Sequence, residues 1–253
     1  MRKITAALCG VTVLAAGAVL LTPTITTDSS GGDTSVTSVT VNDGRPILLG
    51  PVQAVTVPLV VTARDDSGIA GIGPIGVWGP NYGVLEVSPL SCTADGPSSV
   101  CRGTVTIEPE RQQVFNDEAG TWFVDLKVRA NDGDGYANQT AAGFSLKRAA
   151  RMTGAGVPQQ AEPGQELTVT GALARSCWDT HTYCGYQSGT AHLQFRPSGS
   201  TLWSTVATSF SDASGAVTAQ APATGPGDFQ WYAPGDKWTG DAVSPALPVS
   251  VVG

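Results

Sequence analysis

The segment from Thr121 to Asn138, TWFVDLKVRANDGDGYAN, constrains the fold more than any other part of this sequence. From Trp122 to Ala130 every second residue is apolar, which is the two-residue period of a strand that buries one face. The strand ends in the sequence NDGDG at 131–135, where two glycines let the backbone turn sharply and two carboxylates bring oxygen atoms together. The segment therefore predicts a core strand followed by a loop with the ligands that a cation needs.

Alternating apolar residues recur along the rest of the chain and predict an all-β fold. Turn sequences separate the predicted strands at the spacing that is typical of β-sandwiches. A short basic run, KRAAR, and a Gly- and Pro-punctuated segment after it indicate a joint near residue 150 that contains one strand segment. We predict two tandem immunoglobulin-like β-sandwich domains after an N-terminal signal peptide, the first over 36–149 and the second over 150–253.

The first 27 residues predict export. A basic start, MRK, precedes an uncharged apolar run over 4–21, which is typical of a secretion signal, although the run is also long enough for an uncleaved membrane anchor. We expect cleavage, a linker over 28–35, and a secreted, extracellular protein that has no membrane segment in its mature form. Loss of Arg2 and Lys3 would change the net charge from −7 to about −9, and such a surface repels nucleic acid.

The cysteines outside the apolar run form two local pairs, Cys92 with Cys101 and Cys177 with Cys184. An even number of cysteines in an exported protein favours disulfides, and each short loop closed in this way contributes about 2–3 kcal/mol. The alternative is a zinc site with four thiolates, but that site needs CxxC-like spacing, which this sequence lacks.

Two acidic loops are candidates for a calcium site. Asp65 and Asp66 follow the predicted strand over 55–63, and Asp132 and Asp134 follow the strand that begins at Trp122. These strands take the second and sixth positions of an immunoglobulin-like sandwich, on facing sheets, so the loops after them emerge at the same end. Calcium takes six to eight oxygen ligands, which such loops can supply. The alternative is that these aspartates are ordinary turn residues that face water.

Aromatic residues in the second half of the chain are candidates for carbohydrate binding. Trp178, Tyr183 and Tyr186 surround the second cysteine pair, and Trp238 lies in the loop before the last predicted strand. Exposed aromatic rings held by a disulfide can stack on sugar rings, so a cell-wall polysaccharide or another extracellular protein is the expected partner. The alternative is that these rings cover or fill the core, which is the usual use of large aromatic side chains.

The sequence predicts a non-catalytic protein. It has two histidines, His181 and His192, and lacks the HExxH, GxSxG, phosphate-loop and dinucleotide-binding patterns. No constellation of general acid, general base and nucleophile can be named from it.

Several segments carry a resemblance to a known family. They are VNDGRPILLG, VTARDDSGI, AGTWFVDLKVRANDGDG, GQELTVTGALAR, GYQSGTAHLQFRPSGS and DASGAV, together with the Cys92 and Cys101 pair. In these segments, which span most of 41–252, the chain resembles secreted actinobacterial two-domain proteins that are often labelled "calcium-binding protein" or left without a function. The resemblance implies an exported tandem β-sandwich without an assigned reaction, and it supports the four aspartates as calcium ligands. The cysteine pair around Trp178 departs from that family.

Overall fold

The computed structural model describes residues 29–252, and these fold almost entirely as β-strands, which confirms the predicted all-β class. The predicted export segment over 1–27 lies outside the described residues. The described part contains no helix that is long and apolar enough to cross a membrane.

In chain order the strands are β1 (Ser29–Gly31), β2 (Ser35–Val41), β3 (Ile47–Leu49), β4 (Val55–Arg64), β5 (Ile69–Ile72), β6 (Gly76–Trp78), β7 (Val84–Leu85), β8 (Ser91–Asp95), β9 (Ser98–Ile107), β10 (Gly120–Ala130), β11 (Gly135–Arg148), β12 (Ala150–Gly156), β13 (Gln160–Ala161), β14 (Glu166–Cys177), β15 (Thr182–Gly185), β16 (Thr190–Pro197), β17 (Ser204–Phe210), β18 (Ala216–Pro222), β19 (Gly227–Ala233), β20 (Ala242–Val243) and β21 (Leu247–Val251). Single 3-10 turns occur at Asn42–Gly44, Pro80–Tyr82, Pro109–Arg111 and Asn116–Glu118.

Strands β1 to β11 form the first sandwich. One sheet has the order β2-β4-β9-β8, and the other has the order β1-β11-β10-β6-β7, with β3 beside β11 and β5 beside β10. This is the immunoglobulin arrangement, in which strands A, B, E and D form one sheet and C, F and G form the other. The strand order therefore shows the predicted immunoglobulin-like fold, with β4 and β10 on facing sheets as expected.

Strands β12 to β21 form the second sandwich on the same plan. Strand β14 is the centre of one sheet, with β12 on one side and β15 and β18 on the other. The facing sheet has the order β13-β21-β19-β16-β17, with β20 beside β19.

The predicted burial of alternate residues in β10 is confirmed. Trp122, Val124, Leu126, Val128 and Ala130 are all buried, and the Trp122 side chain is completely enclosed. A tryptophan at the centre of the first sandwich removes a large apolar area from water, so β10 stabilises both facing sheets.

Both predicted disulfides are present. Cys92–Cys101 joins the neighbouring strands β8 and β9, and Cys177–Cys184 joins β14 to β15.

One segment that the sequence indicated as a linker is a strand instead, and the joint near residue 150 contains a strand, as the sequence predicted. Ser29–Gly31, in the predicted linker over 28–35, pairs with the beginning of β11, and Ala150–Gly156 pairs with β14 as β12. Both are rich in small residues, but pairing with a neighbouring strand satisfies their backbone N–H and C=O groups. As a result only Ala149 separates the last strand of the first sandwich from β12.

Candidate functional site

Four aspartates converge at one end of the first sandwich, and we call them the acidic cluster: Asp33, Asp65, Asp66 and Asp132. Each offers a carboxylate oxygen that lies within 4.8 Å of those of the other three. Asp33 lies just before β2, the pair at 65–66 follows β4, and Asp132 follows β10. The loops after the second and sixth immunoglobulin strands therefore do meet, as their positions in the fold require.

Asp65 is the buried anchor of the acidic cluster. Its side chain is 0% exposed, and Thr34 Oγ1 donates a hydrogen bond of 2.5 Å to Oδ2. Its other oxygen, Oδ1, accepts bonds from Ser67 Oγ at 2.5 Å and from the Ser67 backbone N–H at 2.9 Å. The bonds from the Ser67 and Thr34 hydroxyls hold the pKa of Asp65 below its usual range, so the group is kept as a carboxylate.

Hydrogen bonds join the two acidic loops directly. Asn131 Nδ2 donates to the Ser67 carbonyl oxygen at 2.8 Å, and the Asn131 backbone N–H donates to that of Gly68 at 3.0 Å. The backbone N–H of Asp132 bonds to Ser67 Oγ at 3.3 Å. These bonds fix the spacing between the exposed carboxylates of Asp66 and Asp132.

Asp134, the fourth predicted ligand, lies beside the acidic cluster rather than in it. Its backbone N–H donates to Asp132 Oδ1 at 3.0 Å, and its own carboxylate is not among the four that converge. Partial burial, together with the nearby charge of Asp132, raises the pKa of Asp134. The carboxylate lies against Gly32, where an added Cβ would come within 1.3 Å of Oδ2 and where φ is +71°, so this close approach requires glycine.

Asp33 takes the place that the sequence assigned to Asp134. Its Oδ2 accepts a hydrogen bond of 3.3 Å from the Asp66 backbone N–H. The only signal in the sequence was an aspartate after Gly31-Gly32, in a segment that resembles a linker.

The acidic cluster has no basic partner among residues 29–252. The two ion pairs found there, Arg111 with Glu108 and Arg196 with Asp228, lie elsewhere. Like charges at this separation repel one another, so the folded protein carries an electrostatic cost at this end that a bound cation would remove.

The predicted aromatic platform does not form around Trp178. This side chain is 0% exposed and belongs to the core of the first sandwich, although it follows β14 of the second. Its Nε1 donates to the Leu49 carbonyl oxygen at 3.2 Å, and its backbone N–H donates to Asn116 Oδ1 at 2.9 Å. Of the two interpretations of Trp178, an exposed binding residue and a residue that fills the core, the second is confirmed, because the ring contributes more to stability in the neighbouring core than on the surface.

The other three rings have polar or charged partners, and Tyr186 and Trp238 share one, because the Tyr186 hydroxyl and the Trp238 backbone N–H donate to Asp236 Oδ2 and Oδ1, each at 2.8 Å. Tyr183 and Tyr186 are half-buried, and the guanidinium groups of Arg151 and Arg175 cover them at 3.6 Å and 4.2 Å from the ring centres. Trp238 is 46% exposed, with the Lys237 ammonium 3.9 Å from its ring centre, and it approaches Gly120 of the first sandwich. Carbohydrate binding through Tyr183, Tyr186 or Trp238 stays a prediction.

Residues 177–184 form what we call the docking loop, which fastens the second sandwich to the first. Asp179 Oδ1 accepts a bond of 3.0 Å from the Asn116 backbone N–H, and His181 Nε2 donates to the Pro109 carbonyl oxygen at 3.0 Å. A cleft of about 780 Å³ lies beside the loop, between Tyr183 and residues 50–54. Because the docking loop buries Trp178 in the core of the first sandwich, it forms a packed junction between the two sandwiches.

The strand order and the acidic cluster define a tandem immunoglobulin-like protein with a converging set of carboxylates. No protein-family model matches the chain, and no curated protein sequence matches it. Among solved structures, the fibronectin(III)-like modules of Clostridium thermocellum CbhA are similar at 12% identity over 85% of this chain and 94% of theirs, with a TM-score of 0.37.

Two further solved structures are similar at the same level. A DUF4785 family protein from Legionella pneumophila shares 14% identity over 77% of this chain and 52% of its own, with a TM-score of 0.40. The D0-D1 domain of intimin shares 13% identity over 85% of this chain and 98% of its own, with a TM-score of 0.28. Likenesses this distant carry no argument about family or function, so the fold class rests on the strand order of the two sandwiches.

Proposed function

We propose that this protein is a non-catalytic binding or structural protein that works outside the cell and holds a calcium ion in its acidic cluster. The observation that carries the proposal is the convergence of four carboxylates from three separate loops within 4.8 Å. Calcium–oxygen distances are about 2.4 Å, so ligands on opposite sides of the ion lie about 5 Å apart. The spacing of the cluster fits that geometry.

The chemistry of the loops supports calcium over a softer metal. The cluster offers only carboxylates, and no histidine or cysteine is among its members. Hard oxygen donors suit calcium, which completes its shell with backbone carbonyl groups and water. Asp65, which its hydroxyl partners hold as a carboxylate, would be the fixed ligand, while exposed Asp66 and Asp132 close on the ion.

Thermal unfolding in EDTA and in millimolar calcium tests the proposal. A ligand that binds only the folded state stabilises it, by about 2.7 kcal/mol when its concentration is a hundred times Kd. We therefore expect calcium to raise the melting temperature by about 5–10 °C. The double substitution Asp66→Asn with Asp132→Asn should abolish this rise and should raise the melting temperature in EDTA, because it removes repulsion.

Asp43→Asn is the matched control. Asp43 is an exposed carboxylate in the turn after β2, whereas Asp33 precedes that strand, so the control removes one charge at the opposite end of the sandwich. The control should keep the full response to calcium. An unchanged melting temperature of the wild-type protein in calcium would overturn the proposal and leave exposed Asp66 and Asp132 as solvent-facing turn residues.

A further inference from the structure

Arg148, the last residue of β11, is a buried cation at the junction of the two sandwiches. Its side chain is 7% exposed, and Nε donates a bond of 2.5 Å to the Ser176 carbonyl oxygen. One terminal nitrogen donates to Cys177 Sγ at 3.2 Å, so a positive charge lies directly against one sulfur of the second disulfide.

Among residues 29–252 this cation has no carboxylate within ion-pair distance, although the charge of Asp179 acts on it from further away. Neither ion pair found within residues 29–252 includes Arg148, and Arg175 adds a second positive charge nearby. Burial, followed by the charge of Arg175, lowers the pKa of Arg148 to about 10. A buried charge of this kind is stabilised by any anion that forms beside it, and the nearest atom able to become an anion is Cys177 Sγ.

The two cysteines of this disulfide differ in access to solvent. Cys177 is 8% exposed, whereas Cys184 is half-buried in β15. The hydroxyl groups of Thr180 and Thr182 lie 3.8 Å from Cys184 Sγ. An external thiol therefore reaches Cys184 more readily, and Cys177 is then the leaving group.

We propose that Cys177–Cys184 is a redox-active site that a small dithiol or a protein dithiol can open, with Arg148 as the group that holds the Cys177 thiolate. A reductant thiolate attacks Cys184 Sγ, the sulfur–sulfur bond breaks, and Cys177 takes the electron pair. The second thiol of the reductant then displaces Cys184, which takes a proton from water. The reductant leaves as a disulfide, and the protein has gained two electrons.

Opening this site would act on the junction through Trp178. The ring is one residue from Cys177, and the disulfide closes the docking loop that carries it into the first sandwich. Without the bond, the loop has more conformations available when it leaves the core, so the undocked state gains entropy. The inference is independent of calcium binding, which concerns the acidic cluster alone.

Dithiothreitol treatment of the purified protein, with alkylation of the freed thiols and peptide mass spectrometry, measures the opening rate of each disulfide. We expect Arg148→Met, which keeps much of the apolar stem, to slow the opening of Cys177–Cys184 by about tenfold. Arg148→Lys, which keeps the charge, should retain part of the rate. The rate for Cys92–Cys101 in the same samples is the internal control and should not change.

The thiol pKa of Cys177 in the reduced wild-type protein gives a second readout that needs no substitution. The pH dependence of its alkylation should give a value below the usual value of about 8.5, and tryptophan fluorescence should shift to the red on reduction. A Cys177 thiol that titrates at or above the usual value would overturn the proposal. An Arg148→Met protein that opens as fast as the wild type would overturn it as well.

Discussion

Glu118 shows how one buried carboxyl group makes stability depend on pH. Its side chain is 5% exposed, and Oε2 accepts a hydrogen bond of 2.8 Å from the Phe115 backbone N–H. Burial, followed by the charges of Asp117 and Asp179, raises its pKa above the usual range. The folded state therefore holds the proton more tightly than the unfolded state does.

The sign of the pH effect follows from this raised pKa. The contribution of Glu118 to stability is fully present below its unfolded-state pKa of about 4.3 and is lost as pH rises through the raised folded-state pKa. The side-chain oxygen of Glu118→Gln can still accept the hydrogen bond from the Phe115 backbone N–H. We expect this variant to lack the decrease in stability with rising pH and to be more stable than the wild type at pH 7. Urea unfolding from pH 4 to pH 7 measures the free energy of unfolding of both proteins. If that free energy changes with pH in parallel for the two proteins, the prediction is contradicted.

At single residues, the sequence predicted which acidic loops converge better than it predicted where individual side chains pack. Asp65, Asp66 and Asp132 could be placed together because strand positions determine where their loops emerge. Asp33 could not, because its position depends on the pairing of β1, which leaves no periodic signal in a serine- and glycine-rich stretch. Trp178 could be identified as an anchor or a binding residue, but only the packing of two sandwiches shows which core it enters.

Strand β17 is an uncharged edge strand that is exposed to contact between molecules. It is the edge of its sheet, and no charged residue occurs over 197–211. Leu202, Val206 and Phe210 in and beside it are exposed by 75%, 44% and 68%. Edge strands without charges pair readily with other strands, although the register shift opposite Leu193 interrupts the regular ladder.

We therefore expect self-association through β17 at high protein concentration. Val206→Lys should reduce it, because a lysine on an edge strand must lose hydration when another strand pairs there. Val252→Lys, which adds the same charge at another exposed valine, is the control and should leave association nearly unchanged. Light scattering across a concentration series measures self-association of the wild type and of the two variants. If both lysines reduce association equally, net charge rather than pairing through β17 is the cause.

The elements that the sequence predicted well are those with one buried face. Strands β4 and β10 show the two-residue period clearly, since each packs against a facing sheet. Strand β1 was mistaken for part of a linker because its residues are small and exposed, so its pairing partner rather than its own pattern determines it.

Hydrogen bonds from the docking loop and from the residues beside it couple the two sandwiches at the Leu49 carbonyl group. Ser176 Oγ, the Ala149 backbone N–H and Trp178 Nε1 all donate to the Leu49 carbonyl oxygen, at 2.8, 2.9 and 3.2 Å. Because Trp178 is part of the first core, the second sandwich cannot unfold without opening a cavity in the first. We expect a single unfolding transition for residues of both sandwiches.

Trp178→Ala tests this coupling. Truncation of a buried tryptophan costs about 3–5 kcal/mol, and in this protein the loss falls on the first sandwich and on the junction. Calorimetry should show the single transition divide into two, with the first sandwich melting earlier. Trp238→Ala, at a half-exposed ring near the same junction, is the control and should keep one transition. One transition in the Trp178 variant would show that other contacts couple the sandwiches.

The parallel strand pairs in each sandwich determine how the molecule would carry a pulling force. Strand β3 runs parallel to β11, and β13 runs parallel to β21, so each sandwich joins an early strand to its last strand in the same direction. Tension along the chain would slide the members of each pair past one another and load their hydrogen bonds all at once. With only Ala149 between β11 and β12, that load would pass from one sandwich to the next without a slack segment to absorb it.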